Sequence, residues 1–124
     1  MKSDYRIATG HGVAYASLVP IDPQPRSESR VQAAQREYGV DATMYEAGPF
    51  IRLQWSALEI EDYPALLEQF DLNTFVSNEV TLWCPDHAGI YRLYNGIATR
   101  PVNPTRQTFL KDITLTVSRL VLIG

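Results

Sequence analysis

The sequence predicts a mainly β fold, an antiparallel β-sandwich or split barrel carrying one short α-helix, and three observations carry that prediction. In "DITLTVSRLVLIG", Ile113, Leu115 and Val117 alternate with Thr114, Thr116 and Ser118, the two-residue period of a half-buried strand rich in β-branched residues. Ile51, Leu53, Trp55 and Ala57 alternate in the same way with Arg52, Gln54 and Ser56. Only "EDYPALLEQF" changes period, placing Leu66, Leu67 and Phe70 on one helical stripe.

From the N-terminus, residues 1–28 read as an extended arm, because Pro20, Pro23 and Pro25 in "VPIDPQPRSES" remove backbone donors and block helix. Residues 29–124 then form a single β-rich domain, and 124 residues in all suffice for one core. Residues 29–38, "SRVQAAQREY", carry two readings. Ser29 with Gln32 imitates a capping box and Ala33 and Ala34 favour helix. Against that, Val31, Ala33, Gln35 and Glu37 alternate with their neighbours, and "YGVDA" supplies a turn into "TMYEAGPF". The long hairpin is the favoured reading.

A helix near residues 62–72 follows, with Asp62 as its cap and Pro64 in its first turn. "NEVTLWC" and "GIYRLYNG" are two further strands, joined by a turn at "PDHAG". Asn95-Gly96 marks a tight turn or a bulge, both of which favour a residue tolerant of positive φ.

Composition narrows the function. With 45% hydrophobic and 20% charged residues, the chain is of ordinary globular type. A net charge of -3 supplies no basic excess for phosphates, so no specific nucleic-acid binding is expected. The longest purely aliphatic run is the "LVLI" of residues 120–123, so no membrane span is expected, and Asp4 and Arg6 interrupt any leader-like start. A single cysteine makes no internal disulfide.

Cys84, Asp86 and His87 stand close in sequence, but Cys84 shares a strand face with Val80 and Leu82, where a free cysteine packs as a small hydrophobe. One cysteine and the distant His11 and His87 fall short of a zinc ligand set. "GHGVAY" opens like a dinucleotide fingerprint, yet Tyr15 stands at the third glycine position, and a turn is the better reading. Glu59, Glu61 and Asp62 complement a helix N-terminus rather than forming a glycosidase pair. No catalytic residue, metal or cofactor is therefore expected. Trp55 and Trp83 are expected to bury, while Tyr91 and Tyr94 fall on opposite faces of one strand. One exposed tyrosine there motivates an alternative, a carbohydrate- or receptor-binding β-sandwich module.

In "YGVDATMYEAGPFIRLQWSAL", "VTLWCPDHAGIYRLYNGIATRP" and "FLKDITLTVSRL", the order of hairpin, strand, short helix and antiparallel strands resembles the small virion proteins of tailed bacteriophages, of tail-tube, distal-tail or baseplate type. The resemblance spans residues 29–120 and rests on arrangement. It implies a homo-oligomeric ring around a channel through which DNA passes, with other virion tail proteins as partners. It also implies a place in the virion after synthesis in the host cytoplasm. Subunit contacts are then expected from the arm, through Pro20, Pro23, Pro25 and Arg30, and from the hairpin tip at Tyr38, Gly39, Val40 and Asp41.

Overall fold

The computed structural model describes residues 4–32, 35–38, 44–101 and 109–123. Among these residues the elements run β1 (Arg6–Thr9), β2 (Val19–Pro20), β3 (Gln35–Tyr38), β4 (Met44–Ala47), β5 (Ile51–Glu59), α1 (Asp62–Gln69), β6 (Ser77–Pro85), β7 (Tyr91–Thr99) and β8 (Phe109–Leu122). Six strands form one antiparallel sheet in the order β2-β1-β6-β7-β8-β5, while β3 and β4 form a two-stranded sheet of their own. The expected mainly β fold with one helix is present, and of the two architectures the chain takes the open one, a sheet curled into a half-barrel.

The core lies in the concavity. Ile113, Leu115 and Val117 of β8 are buried and face Trp55, Leu53 and Ile51 across the β5–β8 ladder. A slip of one residue would turn this set to solvent, so burial fixes the register. In β5 the expected alternation fails at its end, where Ala57 is exposed and Leu58 buried. The register stays constant through Ala57↔Lys111 and Leu58↔Leu110, so it is the covered face that changes where the chain turns towards the helix. Central β6 is buried on both faces, with Val80, Leu82 and Cys84 in the core and Thr81 and Trp83 beneath the N-terminal segment.

Helix α1 buries Leu66 and Leu67, and Phe70 immediately after it, as their spacing predicts. Burying a side chain of this size stabilises by about 1.5–3 kcal/mol. Two details differ from expectation. Glu61, not Asp62, precedes the first turn, and it makes no side-chain cap. The helix also stops at Gln69, because Asp71 adopts φ 57 and the Leu72 and Asp71 N–H groups donate to Leu67 O and Glu68 O. This is a Schellman ending, sealed by buried Leu67 and Leu72.

The N-terminal segment is extended, as its prolines require, but it belongs to the same domain, a correction to its reading as a separate arm. Strand β1 pairs with β6 through Ile7↔Leu82, and β2 pairs with β1. Tyr5, Ile7, Leu18 and Ile21 are all buried. The chain then crosses the mouth of the half-barrel. Ile21 N–H donates to Tyr5 O, Arg26 N–H to Gln54 O on the opposite edge strand, and Val31 N–H to Pro85 O. Trp55 Nε1 donates to Pro23 O at 2.8 Å, and the buried Tyr5 hydroxyl donates to Ser29 O at 2.5 Å. Burial, with Tyr91 and Cys84 nearby, pushes that hydroxyl's pKa up to about 12.

Asn95-Gly96 sits inside β7, opposite a bulge. The β7–β8 register shifts between Asn95↔Val121 and Ile97↔Ser118, and Arg119 on the bulged strand takes φ 54. Gly96 serves by lacking a side chain: a Cβ there would stand 2.7 Å from both Leu120 Cδ2 and Val117 Cγ1.

Candidate functional site

The β6–β7 hairpin carries the residues that most resemble chemistry. Cys84 is fully buried in the core and unbridged, and burial pushes its thiol well above its ordinary pKa, with the Asp86 carboxylate adding to the shift. At neutral pH it is therefore a thiol, not a thiolate nucleophile. His87 is exposed in the turn. Asp86 organises that turn: its Oδ1 accepts the Ala88 N–H at 2.9 Å and the Ile90 N–H at 3.0 Å. Its Oδ2 accepts Arg92 Nε at 2.9 Å. These bonds, the one from Ile90 foremost, hold its carboxyl below the usual range against partial burial. Gly89 closes the turn at φ 85. The constellation is thus a stabilised turn, and among the described residues no three His, Cys, Asp or Glu groups converge as metal ligands.

"GHGVAY" is also a turn, folded onto the outer face of the sheet. Gly10 and Gly12 take φ 86 and 71. Buried Thr81 donates from Oγ1 to Gly10 O at 2.7 Å, and the Val13 N–H donates back to Oγ1 at 3.2 Å. The Gly12 N–H reaches Asn95 Oδ1 at 2.8 Å.

The aromatic residues divide as follows. Trp55, Trp83 and Tyr94 are buried. Tyr91 is half-buried, stacked on Trp83 at 6.1 Å between ring centroids and edge-on to Tyr5, while Tyr15 meets Trp83 edge-on at 4.8 Å. Arg6 lies over the Tyr15 ring.

The expected contact residues separate as well. Pro20 is exposed on short β2, and Arg30 is exposed with its guanidinium against Gly89. Pro23 is half-buried with its carbonyl engaged by Trp55, and Pro25 is buried within its own chain. Tyr38 ends β3; Gly39, Val40 and Asp41 lie outside the described residues.

The hairpin itself is regular. Gln35↔Ala47 through Tyr38↔Met44 pair without a shift, and the isolated Gln32↔Phe50 bridge has the same register. The helical reading of this stretch loses to it, because Ser29 closes a turn onto Arg26 instead of capping a helix.

One set of exposed apolar side chains escaped the sequence reading. Where β7 and β8 run past the core, Ile90, Val121, Leu122 and Ile123 are 54%, 59%, 52% and 41% exposed. The signal was the aliphatic run at residues 120–123, of which only Leu120 is buried. No helix among the described residues is long and apolar enough to cross a membrane. No protein-family model matches the sequence, and neither a curated protein nor a solved structure matches the chain.

Proposed function

We propose that the chain is a structural component of a phage tail or tail-like particle, assembling as a homo-oligomeric ring or tube subunit. The observation that supports this most is the β3–β4 hairpin, a ladder that is not hydrogen-bonded into the six-stranded sheet. A two-stranded ribbon is marginal alone in water and gains stability by packing on something else. A neighbouring copy supplies that surface at every position of a ring. The exposed aliphatic residues at the end of β8, Val121, Leu122 and Ile123, add apolar area that a neighbour could cover. The mildly acidic balance suits a channel wall along which DNA slides.

The carbohydrate-binding alternative has less to stand on, since Tyr94 is buried and the Tyr91 ring is engaged with Trp83 and Tyr5. Light scattering coupled to size-exclusion chromatography, with negative-stain imaging, tests the proposal. Rings or tubes at high protein concentration are expected, and deletion of residues 33–47 removes them. A monodisperse monomer that stays so beside candidate tail partners would overturn it.

A further inference from the structure

We propose that residues 26–32 are an edge guard, which prevents a second copy of this chain from adding its own β5 to the free edge of β5. The proposal is independent of the virion reading. Strand β5 is terminal in the sheet, bonded to β8 on one side only. In an antiparallel ladder, alternate residues direct both backbone groups to the same neighbour. Gln54 O accepts from Arg26, and Phe50 exchanges two bonds with Gln32 at 2.7 and 3.2 Å, so Phe50, Arg52 and Gln54 share the outward edge.

The cover therefore seats on both sides of Arg52. As residue number rises from 26 to 32, its partners fall from 54 to 50, so the guard runs antiparallel to β5 and occupies the place of a further strand. It is not itself a strand that could recruit another. Ser29 folds back onto Arg26 in a turn, Val31 turns its N–H away to Pro85, and Pro25 immediately before it has no N–H to offer. An uncovered β5 would present alternating donors and acceptors to an identical edge, which is self-complementary about a two-fold axis. Exposed Arg52 alone would be a weak charged deterrent.

The guard is held from behind by the Tyr5 hydroxyl on Ser29 O and by buried Val31. That permits a test without touching β5. Arg26→Pro removes the N–H that reaches Gln54, and Tyr5→Phe, the milder variant, removes the hydroxyl while leaving the ring in the core. Each is placed in the full chain below its assembly concentration, and self-association is followed by sedimentation velocity. Loosening the guard is expected to tighten self-association by about tenfold or more, the effect of one hydrogen bond's worth of edge protection. Adding Arg52→Pro, which removes an outward N–H on β5 and is tolerated on an edge, is expected to return the protein to the parent's behaviour. Folded Tyr5→Phe and Arg26→Pro proteins that associate no more than the parent overturn the proposal, as does association that Arg52→Pro leaves unchanged.

Discussion

Replacing Gly96 by Ala tests the packing at the centre of the fold. The added Cβ would stand 2.7 Å from Leu120 Cδ2 and from Val117 Cγ1, and 3.3 Å from Ser118 O. Val117 is fully buried and Leu120 is 5% exposed, and a β-branched valine has few rotamers to escape into. Forcing one methyl into such a site costs about 1–3 kcal/mol, while Ala gains about 0.5–1 kcal/mol over Gly in a strand. The middle of both ranges gives a net loss of about 1 kcal/mol, a fall in Tm of about 3–5 °C for a chain of this size. Urea unfolding followed by Trp55 and Trp83 fluorescence reads it as a lower midpoint at unchanged slope. Combining it with Val117→Ala, which removes one of the two clashing methyls, should cost less than the sum of the single changes. An unchanged or raised midpoint for Gly96→Ala would refute the account of the bulge.

Three further outcomes follow from the geometry. Asp71→Gly should raise stability by about 1 kcal/mol, since Asp71 closes the helix at φ 57 and glycine takes that conformation without strain; a thermal melt with no upward shift argues against it. Cys84 should react slowly with a thiol reagent in the native protein and at the rate of a free thiol in denaturant, because the group is buried and protonated; rapid native labelling would contradict its place in the core. Asp86 has a folded pKa below its unfolded value of about 3.9. Its contribution is therefore present above that pH and lost as pH falls through the folded pKa. Asp86→Asn should flatten the acid side of the stability profile, and a profile identical to the parent's below pH 4 would count against this turn.

Local pattern was enough to read what local pattern determines. The alternation of β8, most of β5 and the stripe of α1 are short-range periodicities, and burial follows them. The pairing of β3 with β4 was readable because the two strands lie close in sequence. What failed was non-local. Nothing in Arg6–Thr9 announces that it pairs with β6, more than seventy residues away, and the three prolines pointed to an arm because they forbid helix without saying where the extended chain lies. At Asn95-Gly96 the sequence offered a turn or a bulge. Positive φ falls instead on Arg119 across the ladder, a position set by the close approach of two core side chains to Gly96.

The same prolines therefore bear on where copies can meet. If the N-terminal segment were to reach a neighbour, it would have to withdraw Ile21, Pro25 and Val31 from burial and release its bonds to Gln54, Pro85 and Trp55. At about 1.5–3 kcal/mol for each apolar side chain, that is on the order of 5 kcal/mol before any hydrogen bond is counted. This is a large share of the 5–15 kcal/mol that typically holds a domain together. Contact through Val121, Leu122 and Ile123 carries no such cost, because those side chains are already exposed, and the β3–β4 ladder lies outside the hydrogen-bonded sheet. An assembling subunit of this fold is thus expected to keep its proline segment at home and to meet its neighbours through hairpin and sheet end. Proteolytic protection of residues 21–31 should then be equal in the free and assembled states.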